Sequence, residues 1–337
     1  MLVLGIETSC DETAASVVEN GEKIISNVVA SSLRFHKRYG GIIPEIASRK
    51  QLETITSVCA LALKKAALDL KDINLIGVTY GPGLLGSLVV GVSFAKALSL
   101  GRGIPILGID HLHSHIYSSL LNNKIKLPFI SLVVSGGHTS LFYVRDHGNI
   151  KLIGSTQDDA CGEAFDKVAK ILGLGYPGGP YIERLAKKGD PKKIRFHCSN
   201  TRDPFDFSFS GIKTAVLSCL RNRGFQVKGK SKFYSNEGFI SDVAASFQET
   251  VIDTLIKKSF LACRANRLNR LAIGGGVAAN NRLRERFSQE AANQNINVYF
   301  PLREFCMDNA AMVAGLAYHL FKENKVSDLN LVVRPIV

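Results

Sequence analysis

The sequence lacks most of the features that would commit it to a membrane, an oxidising compartment or a metalloprotease. No apolar run in its 337 residues approaches the roughly 20 residues needed to cross a bilayer. The start, MLVLGIETSCDE, reaches acid by Glu7 and has neither a basic leader nor a small-residue cleavage site, so no signal peptide is expected. The seven cysteines are odd in number and form no CxxC. That argues against a disulfide framework and a Cys-rich zinc site, and fits a reducing cytosol. There is no HExxH, the helical signature of zinc proteases. No RNA-binding module signature is present. Acid is also scarce: 29 Asp and Glu stand against 42 Lys and Arg, a formal charge of +13.

That excess is concentrated. Between Arg184 and Lys232 lie 13 Lys/Arg against 3 Asp. Such a stretch attracts a phosphate backbone through counterion release, and nucleic acid is favoured over a merely solvated basic face. With 46% hydrophobic residues the chain can build two cored domains.

The chain repeats itself. LVLGIE, a small polar turn TSCDET, AASVVE and a Gly turn leading to KIISNVVAS read as three strands. Phe129 onward repeats the plan at a shift of 127 without a gap, so that Gly21 falls on Gly148, Val17 on Val144 and Ile25 on Leu152. A second pair follows in the same order. LIGVTYGPGLLGSLVVGVSFAKALS and LAIGGGVAANNRLRERFSQEA each read as a buried strand, a Gly-rich loop and a helix, the first helix from about Ser87. Paired order of two different units predicts a duplicated α/β protein. This is the plan of the actin, Hsp70 and sugar-kinase (ASKHA, RNase H-like) superfold, with two lobes around a central cleft. The first lobe is expected over 1–126, joined by a C-terminal helix at about 316–337. The second spans 127–315 with a helical insertion at about 160–235. Small polar hairpin turns suit phosphate, because backbone N–H groups can approach it.

Several strings carry chemistry. In DHLHSHIY, Asp110 reads as an N-cap and His111 and His115 share one face of the following helix, with His113 opposite. A His pair one turn apart suits a metal but is weak alone. Asp308, in FCMDNAAM, supplies a third donor, although Asp before Asn-Ala-Ala also suits an N-cap. GPGLLG from Gly81 matches GxGxxG and keeps a dinucleotide fold as a rival, against which stand the Pro at its second position and the unexplained first strands. VVSGGHTSL places Gly136, Gly137 and His138 at a hairpin tip, as anion donors or as a plain tight turn. Glu163, Asp166, Lys167 and Lys170 have the spacing of internal salt bridges. Gly179, in GYPGGP, can lie against a ligand, and Asn280 can both donate and accept at a helix start.

Taken together, GIETSCDET, YGGIIPEIASR, GPGLLGSL, HLHSH, SGGHT, GEAFDKVAK, GYPGGP, FSFSGIKTA, GGGVAAN and MDNAAM resemble the bacterial TsaD family in order and spacing, from Leu4 to about Gly315. The resemblance implies a tRNA N6-adenosine threonylcarbamoyltransferase, once called O-sialoglycoprotein endopeptidase. Threonylcarbamoyl-AMP would give its threonylcarbamoyl group to the adenosine just 3′ of the anticodon, in tRNAs reading codons that begin with A. It implies one divalent metal per subunit (iron(II), with zinc or magnesium as alternatives) on His111, His115 and Asp308. Val134, Ser135, Gly136, Gly137 and His138 would embrace the nucleotide, and Asp166, Gly179, Glu183 and Asn280 the adenosine. Glu12 stands where the family has an acid facing the cleft, a candidate base. The basic run would meet tRNA. Implied partners are a TsaB-like paralogue, a TsaE-like ATPase and an upstream TsaC-like synthase, in the cytoplasm and without a membrane. The chain departs from the family at His113, where an acid is usual and which is expected on the surface, at Ser114, and at Gln51, where a His is common. The rivals are a small-molecule kinase of the same superfold, a non-catalytic scaffold and, weakest, an endopeptidase.

Overall fold

The computed structural model describes residues 1–225 and 237–335. The basic run therefore ends, with Lys228, Lys230 and Lys232, outside the described residues, as does the end of the expected insertion.

Two units emerge, one of 1–124, 146–150 and 301–337, the other of 125–145 and 151–300. The first opens on β1 (Leu2–Glu7), β2 (Glu12–Glu19) and β3 (Lys23–Ser31), followed by the short α1 (Leu33–His36) and the long α2 (Pro44–Lys65). Then come β4 (Leu75–Gly81), α3 (Leu85–Arg102), β5 (Ile106–Asp110) and α4 (His111–Ser118). The second unit has β6 (Phe129–Val134), β7 (Thr139–Asp146) and β8 (Asn149–Ser155), then α5 (Cys161–Ile171), α6 (Gly178–Ala186), α7 (Ser210–Asn222) and α8 (Glu237–Ala265). It closes with β9 (Arg270–Gly274), α9 (Asn281–Gln294) and β10 (Asn297–Tyr299), after which α10 (Ala310–Lys322) returns to the first unit.

The duplication holds at the level of topology. One sheet runs β3-β2-β1-β4-β5 and the other β8-β7-β6-β9-β10. In each, the first strand pairs antiparallel with the second and parallel with the fourth in its order. The antiparallel hairpins exclude the all-parallel dinucleotide fold that GPGLLG kept open. β1 and β6 lie mid-sheet and are covered on both faces, which is why LVLGIE and FISLVV read as continuous apolar runs rather than alternating ones.

α2 starts with Pro44 at a position where the missing N–H costs nothing. Its inward stripe is Ala47, Gln51, Ile55, Val58 and Ala62, at helical spacing. α3 packs on β4 and α2. Its 18 residues are long and apolar enough, by length and composition alone, to cross a membrane, which corrects the expectation that no run comes near.

The expected lobe boundary at 315 also needs correction, since residues 301–315 belong with the first unit. The reason is α10, which lies across β1, β2 and β4. Glycine on those strands lets it approach: a Cβ at Gly5 would collide with Ala310 and Ala314, and one at Gly77 would come 2.7 Å from the Ala317 Cβ. Met312, Val313 and Leu316 are then fully buried, each contributing roughly 1.5–3 kcal/mol. α10 thereby fixes Asp308, two residues before its start, in the unit that carries the histidines.

Candidate functional site

β1 ends on Glu7 and turns through Thr8–Asp11 into β2, while β5 ends on Asp110 and turns into α4. Asp110 Oδ1 accepts from the backbone N–H groups of Leu112 and His113, so it is the N-cap expected of it. Its other oxygen pairs with Arg334. The cap sets the rotation of α4, which puts His111 and His115 side by side with ring centroids 4.6 Å apart. His113 is half-buried rather than a surface residue.

Asp308 meets that pair. Its Oδ1 lies 3.0 Å from His115 Nε2 and 3.7 Å from His111 Nε2. The N-cap of α10 is Asn309, whose side chain accepts from Met312 N, so the Asp308 carboxylate is not used in capping. The three sequence-expected metal ligands are therefore brought together within one unit. The Cys10 thiol joins them: donor atoms of Cys10, His111 and Asp308 all lie within 4.8 Å of one another.

The surroundings orient this group. His111 Nδ1 lies 3.2 Å from Glu7 Oε2 and 3.0 Å from Ser9 Oγ. A carboxylate only accepts, so Nδ1 carries the proton and Nε2 is turned toward Asp308. Glu7 is fully buried and is itself held by Thr79 Oγ1 at 2.6 Å and Ser9 N at 2.5 Å. A carboxylate behind a histidine is the usual outer support of a metal site. His115 is fully buried, yet neither of its ring nitrogens makes a hydrogen bond; the 3.0 Å approach to Asp308 lacks hydrogen-bond direction. Two orphaned imidazole nitrogens beside a carboxylate and a second, oriented imidazole suit a divalent cation.

Electrostatics agree. Burial opposes charge on His111, but the Asp308 and Glu7 carboxylates outweigh it and hold the imidazole well above its ordinary value. Burial likewise opposes charge on Asp308, and the facing imidazoles of His111 and His115 outweigh it and hold the carboxyl low. Burial, then the charges of Asp308 and Asp11, push Glu12 well up. Glu12 is 8% exposed and accepts from Ser31 Oγ at 3.3 Å.

Three contributors escape sequence reasoning. Cys10 reads only as part of a polar turn, and Glu7 only as the first acid. The signal for Glu7 is a carboxylate ending an otherwise apolar central strand. Gln51 reads only as a departure from the family, yet its Nε2 lies 3.3, 3.0 and 2.9 Å from the carbonyl oxygens of Thr8, Cys10 and Glu12 and pins the turn to α2.

The remaining expected residues lie in the second unit. β6 ends on Val134, and Ser135–His138 makes a tight turn closed by Ser135 N to His138 O at 2.8 Å. Gly136 and Gly137 are exposed, with open space where a Cβ would stand. Asp166 forms no salt bridge with α5 lysines; it accepts from Gly178 N at 2.6 Å, and burial raises its carboxyl to about 6. Lys167 pairs instead with Asp159 and Glu163. Gly178, not Gly179, is the crowded glycine of α6, so no protein contact accounts for glycine at 179. Glu183 accepts from Asn281 N at 3.0 Å. Asn280 is committed to the fold, capping α9 through Leu283 N and donating to Gln248.

A duplicated five-stranded α/β design with this donor group in its first unit defines a protein of the actin-like ASKHA fold. Solved structures agree on the fold. A crystal structure of full-length HypF covers 96% of this chain and 46% of its own at a TM-score of 0.63 and 14% identity. Component A of the (R)-2-hydroxyglutaryl-CoA dehydratase of Acidaminococcus fermentans covers 96% and 100% at 0.55 and 16% identity. The chain belongs to the TsaD family, tRNA N6-adenosine threonylcarbamoyltransferase, whose profile matches residues 23–315. A protein so named from Thermodesulfovibrio yellowstonii is 49% identical over 99% of this chain and 98% of its own. Another, from Kosmotoga olearia, is 48% identical over 98% and 96%.

Proposed function

We propose that this chain transfers the threonylcarbamoyl group of threonylcarbamoyl-AMP to N6 of the adenosine 3′-adjacent to the anticodon in tRNAs reading A-starting codons. The observation that supports the reading is that one carboxylate oxygen of Asp308 lies beside both His111 and His115, a grouping that suits the metal the resemblance implies. In the reaction a bond forms between N6 and the carbamoyl carbon. The bond from that carbon to the phosphate oxygen breaks, AMP leaves with the electron pair, and the amine loses a proton.

His111, His115 and Asp308 hold one divalent cation, iron(II) by family resemblance, with zinc or magnesium as alternatives. When bound, it supplies Lewis-acid polarisation of the threonylcarbamoyl group. Glu7 keeps Nδ1 of His111 protonated so that Nε2 serves as donor. Glu12 accepts the amine proton; burial makes its ionised form a stronger base than an ordinary carboxylate. The turn of Val134, Ser135, Gly136, Gly137 and His138 embraces the anionic nucleotide, with the Gly136 and Gly137 N–H groups as its donors because the Ser135 N–H closes the turn on His138. Asp166, Gly179 and Glu183 receive the adenosine, and Asn280 shapes that wall from its cap. Exposed Arg184, Lys187, Lys188, Lys192, Lys193 and Arg195 meet tRNA phosphates. A TsaB-like paralogue and a TsaE-like ATPase assist, a TsaC-like synthase supplies the intermediate, and the site of action is the cytoplasm.

The test is mass spectrometry of tRNA nucleosides after incubation of unmodified tRNA with threonine, bicarbonate, ATP and the partner proteins. Wild type is expected to give threonylcarbamoyladenosine, and His115→Ala none. A folded, metal-loaded wild type that makes no product, with partners shown to work beside another TsaD, would overturn the assignment. Phosphorylation of a small acceptor would favour the kinase.

A further inference from the structure

We infer that Cys10 is a thiolate donor to the metal held by His111, His115 and Asp308, which makes the site select thiophilic cations. The inference rests on the reading that those three residues bind a metal, and goes beyond it by adding a soft ligand.

Placement is the first argument. The thiol sits in the turn between β1 and β2, with its sulfur, a His111 nitrogen and an Asp308 oxygen within 4.8 Å of one another. The turn is rigid there. The Cys10 carbonyl accepts from Gln51 Nε2 at 3.0 Å and from Ser87 Oγ at 3.1 Å, so α2 and α3 each hold the residue that carries the thiol. The second argument is that the fully buried His115 makes no hydrogen bond at either nitrogen, its Nε2 only lying 3.0 Å from Asp308 Oδ1, so the cluster holds a further nitrogen donor with no other use.

The other cysteines supply a contrast. Cys59 is fully at home in the apolar core of the first unit, among Ile55, Val58 and Ala62. Cys10 belongs to neither core cluster of its unit. Its neighbours are a carboxylate, an imidazole and the Ser9 hydroxyl, 3.6 Å away. A cysteine kept for packing would be surrounded by carbon.

Two neutral imidazoles, a carboxylate and a thiolate form a donor set of two nitrogens, one oxygen and one sulfur. Sulfur favours zinc or iron(II) over magnesium, which prefers oxygen. The two anionic donors also balance the charge of a divalent ion. Binding replaces the S–H bond by a bond from sulfur to the metal, and the thiol proton, with the proton on His111 Nε2, leaves to solvent.

Cobalt(II) is the probe, titrated into metal-free full-length wild type and into Cys10→Ser. Wild type is expected to bind one equivalent and to show both visible ligand-field bands and a near-ultraviolet thiolate-to-cobalt charge-transfer band. Cys10→Ser should keep the stoichiometry and the visible bands, lose the charge-transfer band, and bind zinc at least about tenfold more weakly, with magnesium affinity unchanged. Visible bands without a charge-transfer band in wild type, or the same band in Cys10→Ser, would overturn the role of Cys10 and leave the His–His–Asp reading standing. Failure of wild type to bind cobalt at all would overturn both. If Cys10→Ser does not fold, zinc-edge absorption on the wild type decides: a sulfur shell at about 2.3 Å supports the inference, and only nitrogen and oxygen at about 2.0–2.1 Å ends it.

Discussion

The two hairpin turns share one backbone plan and have opposite character. In the first unit, Thr8, Ser9, Asp11 and Glu12 are all buried, and the turn is crowded with groups that can carry charge. In the second, Ser135 and His138 are half-buried and Gly136 and Gly137 lie open. The correspondence is residue for residue: Glu7, which orients His111, falls on Val134, Cys10 on Gly137 and Glu12 on Thr139. What closes over each turn differs too. Gln51 from α2 and Ser87 from α3 bond to the first, whereas Gly162 of α5 packs on the second through Ser135 and Gly136. Duplication thus supplied a pair of similar scaffolds. Their helices decided which turn became a buried cluster of polar groups and which kept two exposed glycines at its tip.

That contrast can be tested where it is strongest. Asp308→Ala leaves His111 and His115 without their carboxylate and is expected to lower transfer by roughly a hundredfold or more, read as threonylcarbamoyladenosine formed per unit time. A smaller loss would mean that the first turn is not where metal chemistry resides. Gln51→Leu strips the donor from three carbonyls of the same turn. Its cost should be on the order of 2–4 kcal/mol in urea unfolding, because buried acceptors go unmet. Gln51→His, the residue usual in the family, should recover part of it. Glu7→Gln keeps the shape but loosens the proton on His111; about a 10–100-fold drop in zinc affinity is expected by competition titration.

In the second unit the effects should be smaller. Asp166 is pushed up to about 6 by burial, against the Gly178 N–H and with help from Glu163. The folded chain then holds a proton that the unfolded chain, with an ordinary carboxyl near 3.8, has released. Stability should therefore fall as pH rises from about 4 through about 6. Asp166→Asn should be more stable than wild type by about 1–2 kcal/mol above pH 7, with the gain gone near pH 4, in paired urea melts. The smallest effect belongs to Gly136→Ala, where a methyl meets open space: within about 0.5 kcal/mol by thermal unfolding. A large loss there would make the second turn as tightly packed as the first.

Much of the molecule is legible in its sequence because it is periodic or local. The gapless shift of 127 follows from matching apolar strands and polar turns, and it predicts both hairpins, with the second strand of each starting two residues earlier than read. The N-cap at Asp110 and the shared face of His111 and His115 follow from helix geometry over a few residues. Even Asp308 is marked, by its motif. Its lobe is not, since chain order puts it in the second and the fold puts it in the first. The boundary depends on Gly5 and Gly77, whose lack of side chains acts on a helix more than about 230 residues further along, and spacing carries no trace of that. Asn280 and Gln51 show the same limit in opposite directions. Asn280 has the chemistry of a ligand residue and is spent on a cap, whereas Gln51 replaces the family's usual His and still pins a turn.

The sequence by itself determined the two sheets, their hairpins and the segments that carry the His pair and Asp308, because those depend on patterns within a few residues. Only the tertiary structure decided that Cys10, Glu7 and Asp308 share one pocket of charge with the His pair. Such a cluster is made by elements that meet across the fold, and its chemistry comes from distances and burial that no stretch of sequence contains.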